Sequence, residues 1–234
     1  MKKIIKKLLL PGGRRVRRLR GGVAHGMLMQ LDPRCQFQRY LGLAEREIMN
    51  TVAKLASQCI SLVDIGASDG YYTLAFLRSS SYRVIACEPG PSHELLLANA
   101  AANGFKPDER FHLVQQFVGR GSGKISLAAI VDDLPKPIFV KMDIDGGEIE
   151  ALRSAENSSA LGETCWIVET HSPDLERDCI DWFRDRQYLT LIVPNAWWRR
   201  ILPEMRPIEQ NRWLVAVPEL LSESYHSGSR LSHL

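Results

Sequence analysis

Ser61 to Leu77 reads S-L-V-D-I-G-A-S-D-G-Y-Y-T-L-A-F-L, and this stretch decides the fold. Ile60, Leu62, Val63 and Ile65 form a short β-rich apolar run of the kind found in a strand buried on both faces of a parallel sheet. Gly66 and Gly70 bracket a tight turn, and Tyr71 to Leu77 continues with apolar residues suited to a packed helix. A strand, a glycine turn and a helix N-terminus make a concave ligand site. Free backbone N–H groups and the positive end of the helix dipole point into the turn.

Three ligands compete for such a turn. A dinucleotide favours G-x-G-x-x-G, whose middle glycine admits a pyrophosphate. Here those positions are Gly66, Ser68 and Tyr71, so only the first fits. A serine hydrolase favours G-x-S-x-G, and Gly66-Ala67-Ser68-Asp69-Gly70 satisfies that string. S-adenosylmethionine carries no phosphate and tolerates a side chain mid-loop, but needs an acid at the strand end and another ending the next strand. Asp64 supplies the first. Tyr82 to Cys87 (Y-R-V-I-A-C) reads as the next strand, stopped by Glu88-Pro89-Gly90-Pro91, which leaves Glu88 at its tip. A carboxylate there accepts both ribose hydroxyls of a nucleoside, and a nucleophile elbow has no use for it. The two acids favour the methyl donor, with Asp64, Gly66, Ala67, Ser68, Asp69, Gly70, Tyr71, Glu88 and Pro89 as its expected contacts.

Further blocks follow in order. They are L-L-L-A-N-A-A-A-N-G (Leu95–Gly104), V-K-M-D-I-D-G-G-E-I-E-A-L-R-S-A (Val140–Ala155) and W-I-V-E-T-H (Trp166–His171). Together with V-D-I-G-A-S-D-G-Y-Y-T and C-E-P-G-P, they resemble the FkbM-type methyltransferases over about residues 40 to 217. Asp145 departs from the pattern, because the family more often has Glu there, one methylene longer. The resemblance implies an α/β fold: a single Rossmann-like class I methyltransferase domain with a mostly parallel seven-stranded sheet, helices on both faces and an antiparallel last strand. It implies S-adenosylmethionine as cofactor and O-methylation of a hydroxyl on a sugar, glycan or other small-molecule natural product.

At 234 residues, 45% hydrophobic and 24% charged, the chain has room for one substantial core. No apolar run approaches the ~20 residues of a spanning helix. Five cysteines without metal-type spacing (Cys35, Cys59, Cys87, Cys165 and Cys179) suit reduced thiols in a cytoplasmic protein. Residues 1–20 carry nine basic side chains and no acid, whereas the remainder has 21 basic against 27 acidic residues. We therefore expect three segments: a basic arm and irregular lead-in over 1–39, the Rossmann-like domain over 40–218, and a mobile tail over 219–234. The acidic balance of the domain argues against nucleic acid as its partner. The basic arm suits a frayed tail or peripheral contact with the anionic inner membrane surface. The sequence specifies no oligomeric state.

Along the chain, Leu41 to Ser57 has near-helical apolar spacing, and Pro91 to Asn103 reads as a helix with Ser92 as N-cap and Gly104 as its stop. Asn99 and Asn103 on that helix are either satisfied locally or ligand contacts. Phe111 to Val118 reads as the third strand, whose end would meet an adenine ring, so Gln116 becomes a candidate amide contact and Phe117 either a stacking face or core. Lys124 to Ile130 reads as a short extra strand, and Pro137 to Met142 as the fourth, delivering Asp143 beside the cofactor's methyl. Glu148 and Glu150 suit the positive end of the next helix. Thr164 to Val168 is the fifth strand, ending in Glu169-Thr170-His171, and Leu189–Val193 and Trp213–Val217 are the last two.

Methyl transfer from a sulfonium is an in-line displacement, so positioning and one proton are what the protein must manage. A hydroxyl of pKa about 15 needs a base or a metal. His171 is the candidate base, with Asp143 beside it. Asp143, Glu169 and His171 would also suit Mg2+ or Mn2+. No Asn/Asp-Pro-Pro-aromatic loop follows the fourth strand, and no Pro-Cys nucleophile is present there, which disfavours planar-base acceptors. Two rival readings stand beside this one. One is a serine hydrolase using Ser68, Asp143 and His171; the other is an RNA-directed methyltransferase or binding module using the basic arm.

Overall fold

The computed structural model describes residues 12–79, 81–195, 212–219 and 221. From residue 12 on, the lead-in is not irregular. β1 (Arg15–Arg18) pairs antiparallel with β2 (Leu28–Leu31), and Leu19, Met27, Met29 and Leu31 are buried in the main core. α1 (Phe37–Leu41) and α2 (Met49–Ser57) replace the single helix expected over 41–57. Gly42 ends α1 at φ 75, and Glu45 stands at φ 50, so the backbone leaves the helix despite the apolar spacing.

The glycine turn joins β3 (Ser61–Ile65) to α3 (Tyr71–Leu77), and the next unit is β4 (Arg83–Cys87) with α4 (Ser92–Ala102). Pro91, not Ser92, occupies the cap position of α4. Asn99 and Asn103 on α4 serve the lead-in. Their side-chain oxygens accept from Gln30 N (2.7 Å) and Leu28 N (2.8 Å), and Asn103 Nδ2 donates back to Leu28 O (2.7 Å). These carboxamides pair with β2 much as a neighbouring strand would. Asn99 Nδ2 also donates to Asp69 O in the glycine turn (2.8 Å), tying hairpin, helix and turn together.

β5 (Phe111–Val114) is shorter than expected, because the chain leaves the ladder at residues 115–116. β6 (Phe117–Val118) pairs instead with β7 (Lys124–Ile125), and residues expected to extend that strand form α5 (Leu127–Val131), N-capped by Ser126. Then come β8 (Ile138–Met142), α6 (Glu148–Arg153), β9 (Thr164–Thr170), α7 (Pro173–Arg184), β10 (Tyr188–Val193) and β11 (Arg212–Pro218). β9 runs two residues beyond expectation, since Glu169 and Thr170 still pair with Trp213 and Arg212.

The fold is α/β, with a seven-stranded sheet in the order β10-β11-β9-β8-β3-β4-β5. β3 is parallel to β4 and β8, while β11 runs antiparallel to both its neighbours. Strand alternation divides the interior between two faces. Leu62, Val84 and Phe139 face α2, α3 and α4; Val63, Ile85 and Val140 face α5, α6 and α7. β3 lies between β4 and β8, where the strand order reverses, so the crevice beyond its carboxyl end is the ligand position of this architecture.

Of the earlier expectations, those for residues 1–11 and for nearly all of the 219–234 tail lie outside the described residues. Among the described residues no helix is long and apolar enough to cross a membrane. All five cysteines are free thiols, and only Cys35 is exposed.

Candidate active site

A cavity of about 730 Å³ opens beyond β3, and Asp64, Gly66, Ala67, Ser68, Tyr71, Glu88, Pro89, Gln116, Phe117 and Asp143 line it together. Two expected contacts are turned elsewhere. Asp69 is committed to Arg39 Nη1 (2.5 Å) and Gln36 Nε2 (3.2 Å), and Gly70, at φ 88, backs onto Leu96.

The turn is held by its own backbone. Gly66 has φ 78, and a Cβ there would fall on the Asp143 carbonyl, so the β3 and β8 ends close on each other only through a glycine. Ser68 N and Gly90 N donate to Glu88 Oε2 and Oε1, both at 2.8 Å, fixing the carboxylate against the two turns. Each oxygen keeps a lone pair for a further donor. Asp64 is 1% exposed; Thr73 Oγ1 donates to its Oδ2 (2.6 Å), while its Oδ1 is buried with no hydrogen-bond partner among the described residues. Burial raises the Asp64 pKa, against the opposing pull of Lys141 and Thr73.

Phe117 is 66% exposed at the cavity wall, so it is a free ring face and not core. Beside it, Lys124 Nζ meets Glu150 Oε1 at 2.6 Å.

At the other end stands a dense group of charges. Lys141 is buried, with its ammonium 3.3 Å from Asp143 Oδ2 and over the rings of Tyr72 (4.9 Å) and Trp213 (5.7 Å). Burial opposes its charge, but Asp143 and Asp64 outweigh that and raise its pKa. His171 Nδ1 lies 2.5 Å from Glu148 Oε1, and Nε2 faces Asp145 Oδ1 (3.3 Å), Asp143 Oδ1 (3.6 Å) and Glu169 Oε2 (3.8 Å). Burial works against the imidazolium, yet Glu148, Asp143 and Asp145 together raise its pKa. Asp143, Asp145 and Glu169 form part of the cavity wall, with His171 behind them.

The cation ligands expected at Asp143, Glu169 and His171 need correction. The ligand atoms that lie within 4.8 Å of one another belong to Asp143, Asp145 and His171. Glu169 sits in the buried end of β9, where burial and the adjoining Asp143 push its pKa up to about 11. Burial and the neighbouring charge both favour a proton held between Glu169 and Asp143. The hydrolase arrangement is not favoured, because both ring nitrogens of His171 face carboxylates and neither is turned to the Ser68 hydroxyl.

Three contributors were missed. Glu148 was expected only to suit a helix dipole, yet it is 0% exposed and holds His171. Glu45 lines the cavity, with Oε2 buried and no hydrogen-bond partner among the described residues. Arg39 bridges Asp69 and the Tyr71 ring. Gly42 was the available signal for the last two, as a break in the helix that would have buried this segment.

A scan against protein-family models and a search of the curated proteins found no match. Among solved structures, the chain is similar to an S-adenosylhomocysteine complex of TrmK from M. capricolum (TM-score 0.51, 15% identity, covering 75% of this chain and 68% of that one). It is similar to a ribosomal protein L11 methylase from Lactobacillus delbrueckii subsp. bulgaricus (0.51, 13%, 75% and 77%). It is also similar to methyltransferase FkbM from Methylobacillus flagellatus KT (0.51, 20%, 68% of this chain), of which it spans only 44%. These likenesses, with the strand order and the antiparallel β11, give the chain the class I methyltransferase fold.

Proposed function

We propose that this chain is an S-adenosylmethionine-dependent methyltransferase of the FkbM type acting on the hydroxyl of a sugar, glycan or related natural product. The observation that carries the reading is the meeting of Asp64 and Glu88, from the tips of adjacent strands, on one cavity beside the Gly66 turn. The residues fit the donor. Asp64 Oδ1 is a buried acceptor awaiting a donor such as an α-ammonium, Glu88 offers its remaining lone pairs to ribose hydroxyls, and Phe117 and Gln116 stand where a base would stack and bond.

When bound, the donor supplies a sulfonium methyl, whose C–S bond breaks as the acceptor oxygen forms the new C–O bond. The hydroxyl proton must leave in the same event. Asp143 and His171 stand at that end of the cavity and are assigned to handle it, while Lys141 balances the carboxylates around them. The absence of a Pro-rich loop after β8 supports an oxygen acceptor over a planar base. The exposed arginines Arg15 and Arg18 of β1 suit contact with an anionic membrane surface, which would fit a lipid-linked glycan handled on the cytoplasmic side.

Calorimetric titration with S-adenosylmethionine and S-adenosylhomocysteine tests the reading. Saturable binding of both is expected; folded protein that binds neither would overturn it.

A further inference from the structure

We propose that Asp143, Asp145 and His171 form a divalent-cation site at the acceptor end of the cavity, of the oxygen-rich kind that takes Mn2+ or Mg2+. The imidazole of His171 is held from behind by Glu148. Glu148 is wholly buried and receives Gly146 N at 3.2 Å, and its Oε1 lies 2.5 Å from His171 Nδ1. That contact occupies Nδ1 and leaves Nε2 as the nitrogen turned toward the other carboxylates. Nε2 is buried without a hydrogen-bond partner among the described residues, and the side chain is only 8% exposed.

What Nε2 faces is the second observation. Asp145 Oδ1 lies at 3.3 Å and Asp143 Oδ1 at 3.6 Å. Nε2 and one oxygen of each aspartate thus converge, all within 4.8 Å of one another, as the ligand atoms of a single cation would. Adjacent ligand atoms on an octahedral Mg2+, with bonds of about 2.0–2.1 Å, stand about 2.8–3.0 Å apart, so an ion seated here would draw these atoms together by a few tenths of an ångström. The Lys141 ammonium lies on the other oxygen of Asp143, Oδ2. A carboxylate holding the far nitrogen of a ligating histidine is the usual support of such sites, and Glu148 is in that position.

Three protein ligands leave coordination positions open, and two of them, Asp143 and Asp145, belong to the cavity wall. An acceptor hydroxyl reaching the ion there would be acidified for attack, the ion then taking over the role given above to the His171 ring. That role rests on the methyltransferase reading, whereas the binding itself does not.

The full-length chain, freed of metal with a chelator, is titrated with Mn2+ in the absence of donor and acceptor. Calorimetry and the paramagnetic resonance signal of free Mn2+ are followed. One saturable site is expected. Asp145→Asn, a change at an exposed side chain that leaves folding intact, should weaken binding at least about 10-fold, and Glu148→Gln about 10–100-fold. Absence of saturable Mn2+ binding by the unaltered chain would overturn the site and leave a protonated Nε2 as the group facing the carboxylates. Unchanged affinity in Asp145→Asn would overturn it equally. Donor titration of the same sample separates the two readings: Mn2+ binding without donor binding sinks the methyltransferase and keeps the site, and the reverse sinks the site alone.

Discussion

Glu148 Oε1 and His171 Nδ1 meet at 2.5 Å, joining the first turn of α6 to the residue just beyond β9. The contact fixes which nitrogen of the imidazole faces Asp143 and Asp145. Glu148 touches no part of the cavity itself, so it acts through the ring it positions. Glu148→Gln should therefore lower kcat about 10–100-fold while leaving the dissociation constant for S-adenosylmethionine within about 2-fold. His171→Ala should show the same split with a larger loss of turnover. Steady-state kinetics beside calorimetry reads both numbers, and a loss of donor affinity in either variant would contradict the assignment.

Asp64 and Glu88 should behave in the opposite way. Charge-assisted hydrogen bonds contribute about 1.5–3 kcal/mol each, so Asp64→Ala or Glu88→Ala should weaken donor binding by about 10–100-fold. Glu88→Ala has a second effect, because Ser68 N and Gly90 N lose their acceptor. A fall in melting temperature is expected for that variant, measured by scanning calorimetry.

Phe117 and Gly66 separate binding from folding. The Phe117 ring is 66% exposed, so Phe117→Ala should leave stability within about 0.5 kcal/mol yet cost donor affinity about 1–3 kcal/mol, the range for a base stacked on an aromatic ring. Gly66→Ala places a methyl on the Asp143 carbonyl at a φ of 78. It should destabilise the protein and abolish donor binding together, as denaturant melts and titration would show.

Asp132 carries an acid-sensitive part of the stability. Burial pushes its pKa up, but Ser158 Oγ (2.6 Å), Ala160 N (3.3 Å) and Ser159 Oγ (3.3 Å) donate to its carboxylate, and the net shift is downward. A folded value below the unfolded one means the contribution is fully present above the ordinary aspartate pKa of about 3.9. It is lost as pH falls through the lower folded value. Asp132→Asn should thus be less stable than the native chain at pH 7, with the gap closing below about pH 4. Urea midpoints across that range provide the measurement.

Much of this architecture can be read before any coordinates. The sheet strands are apolar β-rich runs that end in turn residues, and the two acids fall at strand tips because Gly66 and Pro89 stop the runs there. What could not be read depends on distance in sequence or on where a ladder stops. β1 is R-V-R-R, which carries no apolar alternation, so its pairing with β2 is invisible until Asn99 and Asn103 are seen to hold it. Apolar spacing over 41–57 overrode the information in Gly42, although only a glycine-like backbone accounts for the bend. Phe117 follows a genuine strand, and nothing local says that pairing ends at Val114. The pairing of Glu148 with His171 spans 23 residues and exists only once β8 and β9 are neighbours.

The carboxamide clasp on β2 bears on how the protein can be shortened. A fragment beginning at residue 40 would keep every block of the family resemblance, and so would look intact on paper. It would take the amides of Gln30 and Leu28 away from the oxygens of Asn99 and Asn103, at about 0.5–1.5 kcal/mol for each hydrogen bond lost. It would also strip the greasy cover that Leu19, Met27, Met29 and Leu31 lay over the floor beneath. Such a fragment should clump or melt early, and whoever trims this chain for solubility should cut no later than residue 12.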